Sequence, residues 1–577
     1  MGFGQNSHAQ RIVENLGRGA IAIKTADGYF VSWRLLGTEY GKEVQFNLYR
    51  DNKKRNSTPL HYTCFFDTIP ALSGEYTVST IIDGKEKTKS KVTILPKGYL
   101  EIPLKQGDYS IQHAWPGDLD GDGEYDFIVS RLPLKSGSPV IEGYLRDGTF
   151  LWRIDMGPNS IQQAPGNGAN DSPPASISGF GNIAGYRDND NITVYDLNLD
   201  GKAEVFVRTA PGVTFADGKS ITDTSLFAQY ISVINGLTGK EITRTHVPTD
   251  FIQDGPIASH FGVAYLDGIH PSLITKLKNR EGFHLGNFNL LIAAWDFDGL
   301  KLTQRWKWVH KKEPFVSSFH QIRIIDLNQD GKDEICGGSF VINNDGKFLY
   351  SLDSCVHGDR FHITDMDPDR PGLEGYGIQQ TENGQIEYYP WYYYDASKGK
   401  IIRNGGKPKD VGRGMVADID PRYRGYEMWS ANGVYAIDGT KISEKMPVTN
   451  FKIWWDADLL GEILDRTNIY KWNYKENKMD SLFSGKDLIH AARNAPPLYG
   501  DLFGDWREEV LWEAADHSSF RIYSTTIPTD YALYTLPHNP AYRACLAVKG
   551  YYQSNLVDYY LGDGMKMPSP PKIQILK

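Results

Sequence analysis

Apolar and polar residues alternate in short runs along most of this 577-residue chain, and Gly, Asp and Asn close the runs. Alternation at period two marks half-buried strands, and no long stretch repeats its apolar positions at the 3.6-residue period of an amphipathic helix. The pattern predicts an all-β protein. Within residues 20–97, "AIAIKTADGYFVSWRLL", "EVQFNLYRDNKK", "HYTCFFDTIP" and "GEYTVSTIIDGKEKTKSKVTIL" read as strands, with hairpin tips at "YRDNKK" and "IIDGKE". They define an N-terminal β-sheet domain over residues 1–98, expected to serve in packing or linking.

From residue 99 to 577 two kinds of punctuation alternate. One is an acidic loop running straight into a strand: "DLDGDGEYDFIV" at 118, "DLNLDGKAEVFV" at 196 and "DLNQDGKDEICG" at 326, with looser copies at 365, 418 and 501. The other is strand, tight turn, strand, as in "YLRDGTFLW" at 144 and "VYAIDGTKI" at 434. A unit of about 40–50 residues holding several short strands is the signature of a β-propeller blade, with a solenoid as the other reading. The wider early gaps are read as blades without acidic loops plus insertions, among them "GPNSIQQAPGNGANDSPPASISGFGN" at 157–182. The N-terminal strands resemble a fibronectin-type-III-like sandwich.

The acidic loops imitate an EF-hand without being one. An EF-hand loop continues to a glutamate at its twelfth position inside a helix. Here the last acid comes at the ninth and a strand follows at once. The three strongest loops offer Asp118, Asp120, Asp122 and Asp126; Asp196, Asn198, Asp200 and Glu204; and Asp326, Asn328, Asp330 and Glu334. Oxygen donors in this number suit Ca²⁺, and carboxylates so close repel unless something positive lies among them. The looser loops offer Asp365, Asp367, Asp369 and Glu374; Asp418, Asp420 and Glu427; and Asp501, Asp505 and Glu509. Their alternative reading is a solvated acidic turn.

Charge and composition narrow the partners. A net charge of −9 argues against nucleic acid. No run of 18 apolar residues spans a membrane. Four cysteines are too few for a disulfide framework and lack metal-site spacing, and one pair would form only in an oxidising compartment. The start "MGFGQNSHAQRIVENLG" lacks the apolar core of a secretory leader.

Nearly the whole chain resembles the rhamnogalacturonan lyases of polysaccharide lyase family 11. The resemblance rests on "FVSWRLLGTE" (30–39), "HGDRFHITDMDPDRPGLE" (357–374), "DVGRGMVADIDPRYRGYEMW" (410–429), "NFKIWWDADLL" (450–460), "GDLFGDWREEVLW" (500–512), "RIYSTTIPTDYALYTLPHNPAYR" (521–543) and "YLGDGM" (560–565). It implies an eight-bladed propeller behind an N-terminal sheet domain, several calcium ions, and β-elimination in the rhamnose–galacturonate backbone of pectin. It also implies site roles for His320, His357, Arg413 and Tyr551. Such a lyase needs a cation to neutralise the uronate carboxylate and a base for the C5 proton. Polysaccharide is met outside the cytoplasm, so secretion, the periplasm or the cell surface is the expected location, and a monomer the expected state.

Two segments depart from the family pattern. Where the family carries Asn-Gly-Thr-Lys before "GDW", this chain has His490, Ala491, Ala492 and Arg493. Arginine is a poor base, whereas a buried lysine can be tuned. After the first acidic loop "SRLPLK" (130–135) lacks the Asn and Asp with which the family meets sugar. One outcome is a lyase in which Arg493 or His490 takes over proton transfer. Another is a lyase or hydrolase for a different rhamnose- or uronate-containing glycan, the hydrolase needing two carboxylates such as Asp359 with Asp505 or Glu508. The remaining outcomes are a sugar-binding propeller without catalysis and an adhesion propeller.

Overall fold

The computed structural model describes residues 10–68, 74–160, 191–223, 228–248, 250–251, 257–280, 288–311, 313–380, 388–406, 410–549 and 554–575. Among these the fold is nearly all β, with one α-helix, Pro540–Ala547. At the N-terminus, one four-stranded sheet orders Cys64–Asp67, Tyr29–Ser32, Ile21–Lys24 and Thr93–Leu95, and a second orders Lys53–Lys54, Val44–Arg50, Tyr76–Ile82 and Lys85–Lys91. Their alternating apolar residues, Ala22, Val31, Trp33, Phe46, Leu48 and Val78, meet in one core.

Beyond them come seven antiparallel sheets, each of four strands consecutive in sequence. Sheet 1 begins with Tyr109–Gly117, sheet 2 with Ile192–Tyr195, sheet 3 with Ala258–Ala264 and sheet 4 with Ser318–Ile325. Sheets 5, 6 and 7 begin with Phe361–Thr364, Met415–Ala417 and Phe451–Ile453. Sheet 8 is assembled from both ends of the chain. Leu498–Gly500 and Leu488–Ile489 pair with Glu509–Ala514, which pairs with Ser519–Tyr523, which pairs with Leu100–Pro103. The first strands of sheets 1 to 7 touch in order, and Leu498–Gly500 of sheet 8 touches that of sheet 1. No described sheet closes on itself.

Neighbouring sheets pack through aliphatic faces. Ile128 and Ile141 of sheet 1 meet Val194, Val205 and Val207 of sheet 2, all fully buried or nearly so. Each such side chain contributes about 1.5–3 kcal/mol of burial. The helix touches the first strands of sheets 1 to 4. Asn539 caps it by accepting from Tyr542 N at 3.1 Å, and Pro540 starts it. Seven of its eight residues are buried, as suits a helix that owes its existence to packing rather than length. Arg323 of sheet 4 donates to Ala541 O at 2.7 Å and to Leu556 O at 3.0 Å. Arg543 pairs with Glu14 through Nε at 2.5 Å and Nη2 at 2.8 Å, lying over the rings of Tyr125 and Tyr195.

All four cysteines are buried free thiols. No described helix is long and apolar enough to cross a membrane.

The Arg543–Glu14 pair joins the helix to the N-terminal segment in a buried setting, so removing one partner strands the other's charge. Arg543→Ala is expected to lower stability by about 3–5 kcal/mol, read as a fall in the thermal midpoint. Glu14→Gln combined with Arg543→Met is expected to recover part of it.

Candidate functional site

Each first strand has two ends, and the chemistry divides between them. At the exit of six first strands lies an acidic loop, and backbone pairing gives the loops a common register. The last residue of the first strand pairs with the loop's closing acid: Gly117 with Asp126, Tyr195 with Glu204, Ile325 with Glu334, Thr364 with Glu374, Ala417 with Glu427, and Gly500 with Glu509. In each, one oxygen of that acid accepts from the N–H just after the loop's first Asp, as Asp126 does from Leu119 at 3.0 Å and Glu427 from Ile419 at 2.8 Å. Asp118 caps its own turn, accepting from Gly121 N at 2.7 Å and Gly123 N at 2.8 Å. Gly123 has φ 86°, and a Cβ there would stand 2.9 Å from Gly17 N, so no L side chain suits the turn.

These carboxylates are left wanting a cation. Burial, reinforced by the neighbouring acids, raises Asp118 and Asp326 to about 6 and Asp126, Asp196, Asp365, Asp418 and Asp501 to about 7. The same forces raise Glu334 and Glu374 to about 8 and Glu204 to about 9, and lift Glu427 and Glu509 well above the usual range. Among the described residues, Glu334 Oε1, Asp365 Oδ1, Asp418 Oδ1, Glu427 Oε1 and Asp501 Oδ1 are buried oxygens with no hydrogen-bond donor. That is the condition a hard cation relieves.

The intermediate positions differ from loop to loop. Asp118, Asp120 and Asp126 bring ligand atoms within 4.8 Å of one another. Asp122 instead accepts from Glu124 N at 2.8 Å. Asn198 and Asn328 each accept from the N–H two residues on, that of Asp200 at 2.8 Å and of Asp330 at 2.9 Å. In turn Asp200 accepts from Lys202 N and Asp330 from Lys332 N, both at 2.9 Å. In the looser loops arginines take up acids the sequence offered as ligands. Arg422 grips Asp420 at 2.8 and 2.6 Å, Arg507 grips Asp505 at 3.0 and 2.7 Å, and Arg424 holds Asp369 at 2.7 Å. Asp367 accepts from Asp369 N at 3.2 Å.

The N-terminal sheets sit on this face. Arg34, fully buried, donates to Glu124 at 3.0 Å and to Leu502 O, and Gly504 N donates to Gly19 O at 2.8 Å.

The opposite ends carry a different set. His320 opens the first strand of sheet 4, and His357 and Asp359 precede that of sheet 5. Their ligand atoms lie within 4.8 Å of one another, the histidine rings are 5.1 Å apart edge to face, and His320 Nε2 is 3.5 Å from Asp359 Oδ1. Six residues of strand, roughly 20 Å, separate His320 from the acidic loop at 326. Arg413 enters sheet 6, and its Nη1 donates to Asn450 Oδ1 at 3.1 Å. Arg493 lies in the 492–494 turn ahead of sheet 8, with φ 60°. Burial raises Asp359 to about 6, while Arg413, Gln380, Arg360 and Arg493 pull the other way, which places both site arginines within electrostatic reach of one carboxylate. His490 is exposed, and its Nδ1 lies 2.8 Å from Ala491 O. Tyr551 lies outside the described residues.

Sequence reading missed Lys276, Lys278 and His260, all fully buried on sheet 3. Burial drives His320 well below the ordinary imidazole range, and Lys278, His357, His260 and Lys276 add to the shift, so His320 is neutral. Lys276 donates to Phe319 O at 2.8 Å and Gln321 O at 3.0 Å, bracketing His320. Asp359, offered with Asp505 or Glu508 for a hydrolase, lies at the strand entries just before sheet 5. Asp505 lies at a strand exit under Arg507, and Glu508 is buried, accepting from Tyr542 OH at 2.7 Å and Trp454 N at 2.9 Å. In "SRLPLK", Arg131 is buried against Glu142 at 3.2 Å rather than turned to a ligand.

With chelator present, the raised acids retain protons in the folded state that the unfolded chain has released. Stability then falls as pH rises from about 4 through about 8. Thermal melts in EGTA are expected to give a lower midpoint at pH 8 than at pH 5.

The chain matches two family models, "Rhamnogalacturonan lyase family 11, C-terminal domain" over residues 181–571 and "Rhamnogalacturonan I lyases beta-sheet domain" over 11–94. It is 37% identical to the rhamnogalacturonan endolyase YesW of Bacillus subtilis, covering 97% of this chain and 93% of that protein. It is 34% identical to the rhamnogalacturonan exolyase YesX of the same organism, covering 98% of each. The crystal structure of YesW superposes with a TM-score of 0.87, covering 98% of this chain and 100% of that one. A Bacillus licheniformis rhamnogalacturonan lyase gives the same score and coverage at 34% identity.

Proposed function

The chain belongs to rhamnogalacturonan lyase family 11 and is a polysaccharide lyase, and from that premise we propose how its two faces divide the work. The eight sheets form an eight-bladed propeller over residues 99–577, preceded by a fibronectin-III-like sandwich in 1–98. The ordered contacts of the first strands support this, as does sheet 8, which uses strands from both ends of the chain as a ring requires and a solenoid does not. The acidic loops hold structural calcium at the strand exits, which the donor-less buried oxygens favour. Catalysis occupies the strand entries, on pectic rhamnogalacturonan met outside the cell's interior.

The observation that carries the catalytic reading is the convergence of His320, His357, Arg413 and Arg493 on Asp359. Elimination breaks C5–H and C4–O4 of a galacturonate, forms the C4–C5 double bond and returns a proton to the departing oxygen. Neutral His320, His357 and Asp359 would hold a further Ca²⁺, which when bound supplies positive charge against the uronate carboxylate and acidifies C5–H. Arg413 and Arg493 present planar forks that suit the same carboxylate. Arg493 remains a cation at any working pH and cannot accept the proton. His490, three residues earlier, can accept it at Nε2 while Nδ1–H donates to Ala491 O.

With rhamnogalacturonan I and Ca²⁺, ultraviolet absorbance of the unsaturated uronate is expected to rise, and to stop rising in excess EGTA. New reducing ends without absorbance would reject elimination. Calcium is also expected to raise the thermal midpoint more at pH 8 than at pH 5, because binding displaces protons from the raised acids.

Arg493→Ala is expected to lower kcat/KM by about 10–100-fold, mainly through KM. His490→Ala is expected to lower kcat by about 100-fold or more with KM little changed. Full activity in His490→Ala would remove it as the base.

A further inference from the structure

One loop at a strand exit contains the acids of a metal site and, already among them, a cation from the protein itself. In sheet 7, Ile453 pairs with Glu462, so Trp454 stands where the other acidic loops have their first Asp. Glu462 is then the closing acid, and it accepts from Trp455 N at 2.7 Å as its counterparts do from the equivalent N–H. Asp456 and Asp458 fill the third and fifth positions, and with Glu462 they bring ligand atoms within 4.8 Å of one another.

Lys471 rises into this group from the third strand of the sheet, Asn468–Asn473. Its Nζ lies 2.9 Å from Asp456 Oδ2, 2.7 Å from Asp458 Oδ1 and 2.6 Å from Glu462 Oε1. One ammonium contacting three carboxylates differs from the arginines of the looser loops. Arg422 turns to Asp420 of its own loop, Arg424 reaches Asp369 of the loop before it and Arg370 contacts the closing acid Glu374 at 3.3 Å, and in both loops the first Asp keeps an oxygen with no hydrogen-bond donor. Burial alone would lower Lys471, but Glu462, Asp456 and Asp458 outweigh it and raise the group. Where other sheets pair the closing acid with a third-strand residue, that residue is Asn235 opposite Glu204 and Asp395 opposite Glu374, and neither brings a positive charge.

We propose that sheet 7 carries its own cation: the Lys471 ammonium occupies the position that a calcium ion takes in the other acidic loops, and this loop binds no metal. The inference rests on the calcium reading of those loops. A three-donor ammonium can satisfy three oxygens but no more, which matches a loop that has lost its first acid. Such a clip holds in chelator, so sheet 7 stays fastened when the metal-dependent loops are stripped.

The test counts calcium by mass spectrometry on protein dialysed against micromolar CaCl₂. Lys471→Met is expected to bind one Ca²⁺ per chain more than the unsubstituted protein. Its thermal midpoint is expected to be several degrees lower in EGTA and to be restored by calcium. An unchanged calcium count in folded Lys471→Met would overturn the proposal. If that variant does not fold, Lys471→Met with Glu462→Gln removes one charge of each sign. It is expected to fold in EGTA with the unsubstituted calcium count, and an extra ion or a failure to fold would overturn the proposal. Failure of the underlying calcium reading is read separately, as an unsubstituted protein that binds no calcium at all.

Discussion

The constraint on which the rest depends is the repulsion of buried carboxylates at the strand exits. Six loops each place a first Asp and a closing Asp or Glu where burial raises both. Backbone pairing leaves them no freedom to separate, because the closing acid sits opposite the last residue of the preceding strand. Positive charge must be brought in. Arginines contact some of these acids, Lys471 contacts all three acids of one loop, and other buried oxygens have no hydrogen-bond donor. The loops in turn seat the N-terminal sheets through Arg34, which donates to Glu124 and to Leu502 O.

The direction of the first strands separates stability from chemistry. A first strand that ends in an acidic loop begins at the opposite face, where His320, His357, Asp359, Arg413 and Arg493 collect. A side chain at one face does not reach the other, so residues at the strand entries can vary without disturbing the acidic loops. The central helix is the link between them. Its buried arginine partners, Arg323 and Arg543, tie sheet 4, sheet 2 and the N-terminal segment to one rod.

Several features were legible in the linear chain for physical reasons. Period-two alternation names strands because the side-chain period of a strand is two. The D-x-[DN]-x-D-G spacing names an oxygen-rich turn because glycine takes the positive φ at its sixth position without a Cβ penalty, as at Gly123 and Gly201. His320, His357, Arg413 and Arg493 came from family resemblance rather than spacing, since they lie on four separate sheets.

Other features depended on folding. Lys276 and Lys278 alternate with apolar residues, which in a single strand predicts a solvent-facing side. Stacking of sheet 4 against sheet 3 buries both and turns them to His320. "WWDADLLGE" escapes the acidic-loop pattern because its first acid is absent. Its register, and the ammonium that completes it, come from the Ile453–Glu462 pair and a lysine nine residues further on. The sequence alone determined the strand content, the acidic turns and the family. Tertiary structure decided which groups share a site and which acids meet a lysine or arginine, because burial and electrostatic reach belong to residues brought together from distant parts of the chain.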